Sequence, residues 1–273
     1  VVQATHTVTN TADLQVGSIT VDNGGTLVLG AFNLTANGAL VDVNGTLTAN
    51  DNSTLTLVGS GAHVLDLAAT TSFWNLTCNT PGGTTLTGNA SMRNTLLLVD
   101  GAFDCTANAV VLESTATRTG RLGPVGTSAS YVGNLRVDRY IPAGATNWRM
   151  MGSPVAGRTV NDWKDDYYTA GFPGSHSPTF SNPVGSGILW PSIRWYNESH
   201  TGAGINDGLV GATSTAQPLA IGQGFAAWCG TGLNTTTAFT VDVTGNPNIA
   251  QTAITLPMSY TSTGVSATDG WNM

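Results

Sequence analysis

NLTANGALVDVNGTLTAND, residues 33–51, alternates apolar and polar positions in runs of three to five residues, broken at Asn37-Gly38 and again at Asn44-Gly45. Period-two alternation marks a half-buried strand. Asn-Gly marks a sharp corner, because both residues accept the positive φ that such corners need. Outward from this stretch, Leu27 and Leu29, Leu34, Val41 and Val43, Leu47, and Leu55 and Leu57 recur at intervals of six to eight residues. Strands this short could meander as hairpins. Their regular spacing fits better a coil in which three runs and three corners make one rung of about 20 residues. Stacked rungs turn Leu and Val into a continuous apolar column and leave Thr and Asp in water. Residues 1–122 are therefore expected to form a parallel β-solenoid (β-helix).

The rest of the chain has another texture. Residues 1–122 hold four aromatics, Phe32, Phe73, Trp74 and Phe103, and the remainder holds sixteen of the twenty. The Gly/Ser/Pro-rich segment RLGPVGTSAS (121–130) marks the change, with residues 123–130 expected as a linker. Beyond it, NLRVDRYI (134–141), NWRMMGSPV (147–155), SIRWYNES (192–199), GQGFAAWCG (222–230) and TAFTVDVTG (237–245) read as longer strands between loops rich in Gly, Pro and Asn. That spacing predicts an antiparallel β-sandwich over residues 131–273, and an all-β chain. The best helical candidate is TVNDWKDDYY (159–168), two turns with Asn161 or Asp162 at the cap.

Charge limits the partners. Only 9% of residues are charged, Lys164 is the single lysine beside eight arginines, and the net charge is −7. Such a surface gains nothing from counterion release, which argues against nucleic acid. No apolar run reaches about 18 residues, so no membrane insertion is expected, and no basic-then-apolar leader is visible.

The run GAHVLDLAATTSFWNLTCNTPGGTTLTGNASMRNTLLLVDGAFDCTANAVVL (61–112) resembles β-helical regions of large secreted Bacteroidota surface proteins. NLRVDRYIPAGATNWRMMGSPVAGRTVNDW (134–163), GFPGS (171–175), IGQGFAAW (221–228) and DGWNM (269–273) are similar to segments of the same proteins. The resemblance covers residues 60–273. It implies export by the type IX secretion system, an extracellular or cell-surface location and β-structure, and it implies no activity. It also implies a segment of a longer chain. Separately, the opening VVQATHTVTN is strand-like with no Pro, Lys or capping helix signal, and the low charge removes the usual guard against edge pairing, so neighbouring β-modules or other copies of the chain are the expected partners.

Motifs for chemistry are sparse. His6, His63, His176 and His200 are scattered, and Ser175-His176 within GSHSP lacks the rest of a triad. A solenoid raises the alternative of a polysaccharide-degrading enzyme, which needs clustered acids or calcium beside a base. Residues 1–122 offer only Arg93, Arg118 and Arg121 as strong bases, with single acids such as Asp22, Asp42, Asp51 and Asp100 near corners. An enzyme is therefore not expected. Asp162, Asp165 and Asp166 form the densest acidic patch and are the candidate ligands for a structural calcium ion, the one cofactor considered; the alternative is a solvated helix start. Trp190, Arg194, Trp195 and Tyr196 are the candidate glycan-contact strip, with Asn197 beside them; the alternative is core. Thr46-Leu47-Thr48, Thr54-Leu55-Thr56 and Thr85-Leu86-Thr87 could match a regular lattice if they fell on successive rungs. Cys78 and Cys105, 27 residues apart in similar surroundings, could pair as a disulfide or remain buried thiols. The reading is an extracellular structural or adhesive segment, a rod or spacer in a fibre, filament or multidomain adhesin, with glycan binding as the alternative.

Overall fold

Leu14, Leu34, Leu55, Leu76, Leu96 and Leu122 stand in one register across successive parallel strands, so a repeat read along the chain becomes a leucine ladder in space. The computed structural model describes residues 1–199, 204–232, 234–249, 256, 258–264 and 269–272. It shows a nearly all-β chain with a β-solenoid of about six turns.

Three faces build the coil. The first stacks Thr7–Thr9, Thr26–Val28 and Thr46–Thr48. The second stacks Leu14–Val16, Asn33–Ala36, Thr54–Val58, Thr71–Asn79 and the start of Ala90–Asp104. The third stacks Ile19–Val21, Leu40–Val43, His63–Leu67, Thr84–Thr87 and the end of Ala90–Asp104. Alternation sends Leu34, Leu55, Leu76, Leu65, Leu86 and Phe103 inward, each buried. Each such side chain contributes roughly 1.5–3 kcal/mol through removal from water. Thr35, Thr56 and Thr77 align in one outward column of the second face.

Stacking explains the corner glycines differently from the sequence expectation. Gly38 and Gly45 do not have positive φ. Their constraint is space: a Cβ on Gly45 would lie 2.4 Å from the carbonyl oxygens of both Asp22 and Gly25, one turn earlier. Asn-Gly is needed here because the preceding turn passes too close for a side chain.

The expected boundary moves. Arg121–Leu122 pairs with Thr95 and Leu96, Ala129–Val132 pairs with Gly101–Asp104, and Leu135 to Val137 pair with Val110–Leu112, all parallel. Residues 123–128 are therefore a corner of the coil, and 129 and 130 already belong to its next strand. The expected linker is part of the first compact unit, which takes in Val1–Arg139 and a later segment from Thr244. A Cβ on Gly126 would meet the Val99 carbonyl oxygen at 2.0 Å, so this Gly-rich stretch is also shaped by the turn beneath it.

Pairing in the second unit, which begins at Tyr140, is largely antiparallel. Its main sheet has the spatial order Asn147–Gly152, Gly224–Cys229, Ile193–Tyr196, Leu209–Gly211. Two ribbons accompany it, Gly144–Ala145 with Thr235–Thr236 and Arg158–Thr159 with Pro218–Leu219. One face of the main sheet carries Ile193, Phe225, Ala227 and Cys229, all fully buried. Trp163 meets Phe225 edge-on at 5.5 Å. The helix expected over 159–168 is a single 3-10 turn, Val160–Trp163, capped from Thr159. No helix among the described residues is long and apolar enough to cross a membrane.

Candidate functional site

The exposed face of the main sheet in the second unit holds a cleft of about 660 Å³, within the usual range for small-molecule sites. Strand alternation builds it. Trp148 and Met150 share a face of Asn147–Gly152, Ala226 and Trp228 share one of Gly224–Cys229, and Arg194 and Tyr196 share one of Ile193–Tyr196. The register sets Met150 and Arg194 on either side of Ala226, and Gly211 beyond Arg194. Ala226, on an inner strand between Met150 and Arg194, thus makes a floor, and Trp148, Met150, Arg194, Tyr196, Leu209 and Trp271 line the cleft with it.

The aromatic wall is braced from behind. Trp148 lies 5.3 Å from Trp190 and 5.4 Å from Trp228, and Trp190 meets Trp228 at 5.6 Å and Phe180 at 5.8 Å. Arg194 places its guanidinium 5.2 Å from the Trp148 ring and 5.3 Å from the Trp190 ring. Its Nε donates to the Pro191 carbonyl at 2.9 Å. Burial pulls the Arg194 pKa below its ordinary value. Tyr196 lies on the backbone of Gly208, where a Cβ would meet the ring within 2.7 Å.

The far wall, Trp271 and Asn272, depends on Glu198. This buried carboxylate accepts from the Ser259 hydroxyl at 3.0 Å, the Thr261 hydroxyl at 2.9 Å, the Thr261 amide and the Gly270 amide at 3.4 Å. Asn272 is fixed in turn by bonds to both the amide and the carbonyl of Ser259. Burial alone would raise the Glu198 pKa, but the donors from Thr261, Ser259 and Gly270 together hold it below the usual glutamate value. A folded-state pKa below the unfolded one gives stability that is complete above the ordinary glutamate range and lost as pH falls through the folded value. Acid is therefore expected to release Ser259, Thr261 and Gly270 from Glu198, and Glu198→Gln to do so at neutral pH. Hydrogen exchange at the Thr261 amide checks this; unchanged protection in Glu198→Gln would contradict it.

Of the four residues singled out for glycan contact, Arg194 and Tyr196 line the cleft and Trp190 backs it. Trp195 alternates to the opposite face and takes no part. Asn197 is spent locally, its Oδ1 accepting from the Ser199 amide and hydroxyl. Trp148, Met150, Ala226 and Trp271 escaped the sequence reading because they come from separate segments.

Asp162, Asp165 and Asp166 do not form a calcium cradle. Asp162 accepts from the Thr159 amide and hydroxyl and pairs with Arg158, and Asp166 accepts the Asp242 amide at 2.8 Å. Among the described residues no group of three or more His, Cys, Asp or Glu could hold a metal ion. Cys78 and Cys105 are buried free thiols. Cys78 stacks between Leu57 and Leu98 on the second face, whereas Cys105 follows the third face and donates to the Val132 carbonyl. Burial pushes the Cys78 pKa up to about 12.

The three Thr-x-Thr triplets fall on three different faces and make no common lattice. Asp42 and Asp66, far apart in sequence, align on adjacent turns; Asn44 donates to the first and Thr87 to the second. Arg93 and Arg118 both pair with Asp51. Ser175 donates to the Phe172 carbonyl and not to His176, which stacks on Tyr168. His200 lies outside the described residues.

No protein-family model, curated protein or solved structure matches the chain.

Proposed function

We propose that this chain is an extracellular structural or adhesive surface segment whose solenoid acts as a spacer and whose second unit contacts glycans. The observation that carries the proposal is the cleft, where Trp148, Tyr196 and Trp271 stand around a floor at Ala226. Aromatic rings present flat apolar faces to the C–H faces of pyranose rings, and the Asn206 amide supplies a partner for hydroxyls. Within this proposal the second unit is a sandwich-type contact module. Support comes from its central strand, which sends Phe225, Ala227 and Cys229 inward and Ala226 and Trp228 outward. The low charge, the continuous leucine ladder and the phrases similar to type IX cargo support the surface-spacer role. Further β-modules or copies of the chain are the proposed neighbours, supported by the low charge, which removes the usual guard against edge-to-edge strand pairing.

A glycan array probed with the intact chain tests the binding reading. Signal is expected for the parent and for Trp195→Ala, and loss for Ala226→Trp, which fills the floor. Absence of signal from the parent, or its survival in a folded Ala226→Trp chain, would defeat the proposal.

A further inference from the structure

We propose that the cleft selects a saccharide bearing a carboxylate, with Arg194 as the group that pairs with it. This rests on the glycan reading of the same cleft and adds the charge of the ligand.

Arg194 is the one charged residue among the described residues lining the cleft. Ion pairs occupy Arg93, Arg118, Arg136 and Arg158, whereas Arg194 forms none among the described residues. Its Nε is held by the Pro191 carbonyl and its guanidinium carbon lies against the two indoles, while its terminal nitrogens have no hydrogen-bond partner among the described residues. The position is half-buried, and the partial loss of hydration depresses its pKa. A guanidinium held in this way presents parallel N–H donors that match the two oxygens of a carboxylate. Its Coulomb interaction is stronger there than at the open surface, since the surrounding rings exclude water.

The rest of the site fits the remainder of such a ligand. Trp148 lies against the guanidinium and Tyr196 lines the same cleft, so a carboxylate on Arg194 would bring the attached ring near an aromatic face. The net charge of −7 works against general attraction of anions, so preference for an acidic sugar would have to come from this site. Uronic and sialic acids share the chemistry, and the test separates them.

Isothermal titration of the intact chain with trigalacturonate and with its methyl ester gives the first comparison. 3′-Sialyllactose and lactose give the second. The acid is expected to bind at least about tenfold more tightly than its uncharged counterpart in one pair, as a charge-assisted bidentate contact would give. The pair showing the difference identifies the source. Arg194→Gln is expected to erase the difference, leaving binding at the level of the uncharged sugar. Should Arg194→Gln fail to fold, the ligand pairs still decide, because they leave the protein unaltered. Equal binding of acid and neutral partner in both pairs would overturn the charge proposal while leaving glycan binding intact. An acid preference that persists in Arg194→Gln would also overturn it. No binding of any saccharide here or on the array would remove both readings together.

Discussion

Alanine at position 101 is expected to lower the stability of the solenoid by about 3 kcal/mol or more, through backbone strain and overpacking combined. Gly101 turns the corner from the second face to the third at φ +79°, and a Cβ there would lie 1.8 Å from the Thr80 carbonyl oxygen. Relief would require moving a backbone in which Thr80 donates to Asp100 and Gly101 donates to Ser128. Gly61 is the control. It has nothing within 4 Å of an added Cβ, so Gly61→Ala should change stability by less than about 1 kcal/mol. Denaturant unfolding followed by far-ultraviolet circular dichroism measures both, and equal midpoints for the two variants would contradict the packing described for the corners.

The second large effect concerns the leucine ladder. Leu76 is fully buried between Leu55 and Leu96, so Leu76→Ala is expected to cost about 2–5 kcal/mol, the range for a core cavity. Leu14 occupies the same column on the first turn but is 50% exposed. Leu14→Ala should cost under about 1 kcal/mol, as surface changes do. A sheet of hairpins would give no reason for this gradient, because the two leucines would not share a column. Comparable losses at both positions in the same unfolding experiment would count against the ladder.

The ladder was legible because Leu34, Leu55 and Leu76 recur at nearly constant spacing, and a coil converts constant spacing into register. The reason for glycine at Gly45 was not legible. It lies in the carbonyls of Asp22 and Gly25 on the turn beneath, and sequence carries no direct sign of that approach. Composition misled at 123–130 for a related reason: a Gly-rich corner between stacked turns has the same residues as a flexible linker. In the second unit, alternation along Ile193–Tyr196 separates Arg194 and Tyr196 from Trp195. The strip read as one feature was two faces. The cleft itself required knowing that Met150, Ala226 and Arg194 lie side by side, a consequence of antiparallel register between segments far apart in the chain. Likewise nothing in the sequence singles out Glu198, and its role follows only from the donors of Ser259, Thr261 and Gly270.

The most direct measurement is where an oligosaccharide sits on the molecule. Hydrogen exchange of the intact chain, with and without a saturating amount of the strongest saccharide from the array, locates the contact at the level of strands. Increased protection is predicted in segments containing Trp148 and Met150, Arg194 and Tyr196, and Ala226, with the solenoid faces unchanged. Protection confined to the solenoid, or none in the cleft strands at saturating ligand, would contradict the assignment of this cleft as the contact site.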